Sequence, residues 1–164
     1  MSWDVFLIPS SATPAASEYV RRTREVVADL EGVCHDDVLV ELKSGASVEI
    51  FGPKPEEEHG HAMWALRGFG PSLADLMFRV AAATDSYIVS GELGIALATP
   101  NHAGEPPDDF LPIEAVADAD DLLTRLTGPL EAWTEYRDQV VAAIPTEPPA
   151  KAKRFFSRLF GGGS

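Results

Sequence analysis

A single α+β domain, built on one mostly antiparallel sheet with helices on one face, is expected from three features of this chain of 164 residues. Short apolar runs alternating with period two recur along it, and some are joined by tight turns. Two stretches with helical spacing interrupt these runs, giving the order β-α-β-β-β-α-β-β, followed by two C-terminal helices. The composition, 45% apolar and 24% charged with a mean hydropathy of −0.03, suits a packed core and not bulk disorder.

Each element has a local reason. Trp3, Val5 and Leu7 alternate with Asp4, Phe6 and Ile8, and Pro9 ends this first strand. Thr13-Pro14 is a helix start, and Tyr19, Thr23, Val26, Val27 and Leu30 keep helical spacing until Gly32. Val38, Val40 and Leu42, then Ser44-Gly45, then Val48 and Ile50 read as a hairpin. A breaker-rich loop, Gly52 to Gly60, separates it from a strand over 61–67. A second helix from about Ser72 carries Leu73, Leu76, Met77 and Val80 on one stripe, with Ser72 and Asp75 at capping-box spacing. Tyr87-Ile88-Val89 and Ile95-Ala96-Leu97 are short strands around Ser90-Gly91-Glu92.

Residues 100–112 read as loop, and 113–116 suit either strand or helix. Asp118 is placed to cap a helix carrying Leu122, Leu123 and Leu126, which Gly128-Pro129 should break before another begins. In that last helix Leu130, Trp133, Arg137, Val140, Val141 and Ile144 share one face, predicting its burial, with Arg137 snorkelling or paired to a carboxylate. The expected organisation is an acidic domain over 1–144, a proline-rich linker over 145–150 and a basic aromatic tail over 151–164.

The net charge of −13 conceals an asymmetry. Residues 1–150 hold all 26 acids against 9 Lys and Arg, a charge of −17, whereas 151–164 hold four cations and no acid, +4. Between 103 and 121 stand Glu105, Asp108, Asp109, Glu114, Asp118, Asp120 and Asp121 with no basic residue. A field of this sign repels phosphate backbones and attracts cationic partners, so nucleic acid is not an expected ligand and a basic protein is. The candidate partner-binding residues are Glu56, Glu57, Glu58, Asp108, Asp109, Asp118, Asp120 and Asp121. Solubility alone is the plainer account of the same charge.

No stretch approaches the roughly 20 apolar residues of a membrane span. The opening Met1 to Pro9 lacks a basic region and a signal-like apolar run, so a cytoplasmic protein is expected. Cys34 is the one cysteine, which excludes an internal disulfide and a cysteine-rich zinc site.

Catalytic motifs are missing: there is no nucleophile elbow, Walker loop or His-Glu-x-x-His. Gly68-Phe69-Gly70 only resembles a phosphate cradle, because Pro71 removes an amide and a strand-to-helix turn explains both glycines. His59 and His61 beside Glu56 to Glu58 have the chemical classes of a divalent-metal site, but a solvated charge run explains them without a metal. Cys34-His35 are adjacent, a poor arrangement for a nucleophile and its base. No enzyme activity, cofactor or metal is therefore expected; a metal-dependent enzyme centred on His59 and His61 is the weaker alternative.

In the tail, Phe155, Phe156, Leu159 and Phe160 share a helical face flanked by Lys153, Arg154 and Arg158. Four large apolar side chains need cover, from the acidic body, from a partner groove or, weakly, from a membrane surface. Docking through Arg154, Phe155, Phe156, Arg158, Leu159 and Phe160 would make the chain a regulatory or adaptor protein.

The opening Met1-Ser2-Trp3-Asp4-Val5-Phe6, followed by a helix and then strands, resembles small uncharacterised bacterial proteins that begin in the same way. In composition and element order the chain is also similar in style to cytoplasmic immunity proteins. That likeness implies a non-catalytic domain binding a cationic toxin or other basic protein, and it transfers no individual residue.

Overall fold

The computed structural model describes residues 3–57 and 61–144. They form β1 (Trp3–Pro9), α1 (Ala16–Asp29), β2 (Val33–His35), β3 (Leu39–Glu41), β4 (Ser47–Phe51), β5 (Ala62–Leu66), α2 (Pro71–Thr84), β6 (Ser86–Ser90), β7 (Ala96–Ala98), β8 (Ile113–Ala115) and α3 (Ala119–Ala143). The fold is α+β, as the alternating runs predict. The chain divides into two compact units, Met1–Leu130 and Glu131–Ser164.

All eight strands join one sheet in the order β2-β3-β4-β5-β1-β6-β7-β8. Every pair is antiparallel except β7 with β8. The first strand of the chain is thus central, paired with β5 through Val5 opposite Trp64 and with β6 through Leu7 opposite Ile88. Its period-two pattern becomes a wall: Trp3, Val5, Leu7, Ala62, Trp64, Leu66 and Ile88 are all buried. Tyr19, Val26 and Val27 of α1, and Leu73, Leu76, Met77 and Val80 of α2, supply further buried apolar side chains, and the two helices pack on one another.

The strand registers also fix where the loops lie. β1, β2, β4, β7 and β8 end at the same edge of the sheet at which β3, β5 and β6 begin. The connections around residues 10–15, 36–38, 52–61 and 85 therefore leave from that edge, as do the segments following β7 and β8.

Several local expectations need correction. Val33–His35, between the predicted helix and hairpin, is an additional edge strand; it pairs with β3 on one side only and all three residues are exposed, so no burial pattern announces it. Residues 113–115 are strand, the parallel partner of β7. The helix predicted from Thr13-Pro14 starts at Ala16 with no side-chain cap, since its N-cap is Ala15; the Thr13 hydroxyl donates instead to the Asp85 carbonyl. Nor does Ser72 cap α2: the N-cap is Gly70, Pro71 occupies the first turn, and Asp75 pairs with Arg79 at 2.9 Å. The reciprocal cap stands at α3, where the Asp121 N–H donates to Asp118 Oδ1 and the Ala117 N–H donates to Asp121 Oδ2.

Gly128-Pro129 does not divide the C-terminal region into two helices. Pro129 lies inside α3: its fixed φ is helical, although it removes one hydrogen bond and its ring crowds the carbonyl four residues earlier. The predicted burial of the later stripe also fails: Leu130, Trp133, Arg137 and Val140 are half-buried, while Val141 and Ile144 are exposed. A helical period places side chains on one face, but does not supply anything to cover them. Arg137 lies 5.4 Å over the Trp133 ring and pairs with Asp138 at 2.7 Å.

Leu7 has 0% exposure in the central strand. Leu7→Ala should cost about 2–5 kcal/mol in denaturant unfolding, whereas Val33→Ala on the exposed edge should cost under about 1 kcal/mol.

Candidate functional site

The predicted acidic residues divide by where their segments leave the sheet. Glu56 and Glu57 sit in a turn after β4, closed by the Glu57 N–H donating to the Lys54 carbonyl at 2.9 Å, and both are exposed. Asp108 and Asp109 are exposed on the loop after β7. Asp118 and Asp120 are exposed where β8 leads into α3; Asp121 is half-buried, its carboxyl drawn down chiefly by the Ala117 N–H and also by Arg125. Asp36 and Asp37, which the charge reading passed over, join them in the β2–β3 turn. All these segments belong to one edge of the sheet, and Lys54 is the single Lys or Arg in the connections 10–15, 36–38, 52–61, 85, 99–112 and 116–118.

Elsewhere the cations are consumed by neighbours. Arg21 pairs with Glu18 and Glu25, Arg22 with Glu18, Arg24 with Asp37, Lys43 with Glu31, Arg67 with Glu49, Arg79 with Asp75, and Arg125 with Glu114 and Asp121. Glu18, hydrogen-bonded by Arg21 and Arg22, is held at about 2. The carboxylates left without a cation in these pairs include Asp36, Glu56, Glu57, Glu105, Asp108 and Asp109 at the loop edge, besides Asp29 and Glu92 elsewhere, so the loop edge carries a local excess of negative charge.

One half-buried carboxylate fixes the long loop there. Asp85 closes α2 in the left-handed region at φ 50°, which Asp tolerates better than most residues. Its Oδ2 accepts the Ser10 hydroxyl at 2.5 Å and the Gly104 N–H at 2.8 Å, and its Oδ1 accepts the Ala103 N–H at 2.8 Å. Its backbone carbonyl accepts the Thr13 hydroxyl at 2.9 Å. Burial pushes the Asp85 carboxyl upward; Ser10, the two amides and the His102 charge more than reverse this, leaving it below the ordinary 3.8. Two more bonds complete the seam: the Ser11 N–H to the Glu105 carbonyl at 2.9 Å and the Glu105 N–H to Ser11 Oγ at 2.8 Å. A Cβ on Gly104 would stand 2.0 Å from Ser10 Oγ and 2.6 Å from the Ala12 nitrogen, so only glycine permits this approach.

Ser10, Asp85 and His102 are the residue types of a hydrolytic triad, and sequence spacing gave no sign that they meet. Their wiring is different. Ser10 donates straight to Asp85, no hydrogen bond joins it to His102, and His102 Nε2 lies 3.6 Å from Asp85 Oδ2. The His102 ring packs 4.1 Å from Tyr87, whose other neighbour Phe110 is at 5.1 Å. In this arrangement the cluster ties the loop to the end of α2, with the Ser10 hydroxyl bonded to a carboxylate and not to an imidazole.

Of the metal candidates, His59 lies outside the described residues, as does Glu58; His61 is exposed, with its ring 6.1 Å from Phe6. No group of three or more His, Cys, Asp or Glu that could hold a metal occurs among the described residues. The tail candidates Arg154, Phe155, Phe156, Arg158, Leu159 and Phe160 also lie outside the described residues. No helix among the described residues is long and apolar enough to cross a membrane.

Two cavities open near the loop edge. One of about 440 Å³ lies between the β1–α1 connection and Glu105 to Asp108. The larger, about 610 Å³, lies between α1, the β2–β3 turn and the end of β4, with Trp64 and Tyr19 in its wall. The Trp64 N–H and the Tyr19 hydroxyl are buried without a hydrogen-bond partner among the described residues. Thr84 and Ser86 approach the phenol but bond to each other at 2.9 Å, and burial pushes Tyr19 up to about 12. An unmet buried donor costs about 1–3 kcal/mol, which makes this cavity wall a place where an acceptor is favoured.

Asp85→Ala should destabilise the protein by about 2–3 kcal/mol at neutral pH. Because the folded carboxyl has a depressed value, its contribution is complete above the unfolded value and is lost as pH falls through the folded one. The stability gap between the two proteins, measured by urea unfolding, should thus shrink as the pH falls below about 4. Gly104→Ala should weaken the same seam and, because it displaces Ser10 and the Gly104 N–H from Asp85 Oδ2, its stability gap should shrink at low pH as well. No protein-family model matches the chain, and neither a curated protein nor a solved structure matches it.

Proposed function

We propose that this chain is a non-catalytic protein-binding domain that presents the loop edge of its sheet to a cationic protein, most specifically as an immunity-type inhibitor covering a basic toxin. The observation that carries the reading is the gathering of Asp36, Glu56, Glu57, Glu105, Asp108 and Asp109 at one sheet edge, while seven of the Lys and Arg elsewhere in Met1–Leu130 are tied into ion pairs. A predominantly negative, locally anchored surface accelerates encounter with an oppositely charged partner and rejects like-charged ones. The loop seam supports the same reading, since a surface already held in place spends less ordering entropy on binding.

Affinity capture from native host cells at low and at moderate salt tests this. A basic protein should be recovered at low salt and more weakly at moderate salt. Replacing Glu56, Glu57 and Glu105 by Gln, and Asp108 and Asp109 by Asn, should reduce the recovered complex about tenfold or more with the fold intact. Recovery of no basic protein in either condition, or equal recovery by the neutralised variant, contradicts the reading.

A further inference from the structure

The cavity of about 610 Å³ has a chemistry of its own. Its inner wall is formed by Tyr19, Val40, Ile50, Trp64 and Val80, all buried. The volume falls within the range of small-molecule sites, and an apolar interior with few polar groups is their usual make-up. Among the polar groups of that wall, the Trp64 N–H lacks an acceptor although the residue is 0% exposed. The mouth is different: Asp36, Asp37 and Glu56 stand there with Arg24 and Lys54, and Arg24 is already engaged with Asp37 at 3.5 Å. Three carboxylates therefore face two cations, at the same sheet edge that carries the surplus negative charge.

We infer that this cavity is a binding site for a small amphiphilic cation: an apolar or aromatic body with a hydrogen-bond acceptor for the Trp64 N–H, and an amine held at the mouth by Asp36 and Glu56. Each part of the ligand answers one part of the site. The buried apolar wall excludes water from the body, the orphan indole N–H selects an acceptor within it, and the rim carboxylates select the sign of the head. Asp36 and Glu56 also belong to the edge proposed to meet a basic protein, but the apolar wall does not, so ligand binding by the isolated chain is tested separately from that reading.

The test uses the full chain with para-butoxyphenethylamine, whose ether oxygen is the acceptor, and with para-butoxyphenylacetate, the anion of similar shape. The amine should bind, shift the Trp64 indole N–H resonance, and slow alkylation of Cys34, an exposed thiol lining the cavity. The anion should bind about tenfold more weakly. Asp36→Asn with Glu56→Gln, both at exposed positions, should erase that preference while leaving the apolar contribution. Val20→Phe, on the half-buried α1 wall, should obstruct both ligands; circular dichroism confirms its fold. Failure of the amine to bind, equal binding of amine and anion, or a preference untouched by neutralising the rim overturns the proposal. So does binding that leaves the Trp64 resonance and Cys34 reactivity unchanged.

Discussion

A loop carrying Glu105, Asp108 and Asp109 should be pushed off an acidic body by its own charge, and the Asp85 carboxylate is what holds its root in place. The geometry is economical in the physical sense. A single left-handed residue at the end of α2 turns its side chain toward both the β1–α1 connection, through Ser10, and the loop after β7, through Ala103 and Gly104. Two segments far apart in the chain are thereby joined at a carboxylate whose hydrogen bonds come from hydroxyl and amide donors and not from a lysine or arginine. A lysine or arginine at that point would cancel part of the field that the loop presents. Hydroxyl and amide donors do not, so anchoring and net negative charge coexist.

The acidic edge itself is a consequence of strand direction. β1 lies at the centre, α1 carries the chain out to β2, and the antiparallel meander through β3 and β4 returns it to β5. That path turns at the loop edge after β2 and again after β4, which is where Asp36, Asp37, Glu56 and Glu57 occur. The parallel pairing of β7 and β8 has the decisive effect on the other side: the chain must travel back before Ile113, and so β8 also delivers its end, with Asp118, to the same edge. Were β8 antiparallel to β7, Asp118 would leave from the opposite edge.

Much of this was readable from residues. Trp3, Val5 and Leu7, Val48 and Ile50, and Leu73 to Val80 declare their buried faces because period and burial coincide. Val33–His35 does not, since an exposed edge strand has no inner face to mark in the sequence. Pro129 misleads because a proline is compatible with a helix it cannot fully bond. The acidic residues could be counted but not gathered, as their meeting depends on strand registers. Asp85 was invisible for a stronger reason: its partner Ser10 is 75 residues away and Ala103 and Gly104 are 18 and 19 residues away, so no local spacing encodes the clamp.

Residue-resolved amide hydrogen exchange bears most directly on the central claim that Asp85 fixes the acidic loop. At neutral pH the Ala103 and Gly104 amides should be protected to a degree approaching those of β6, and Asp85→Ala should release them while the β1 and β5 amides stay protected. Exchange of Ala103 and Gly104 in the unaltered protein as fast as that of the exposed Asp108 and Asp109 amides would contradict the account.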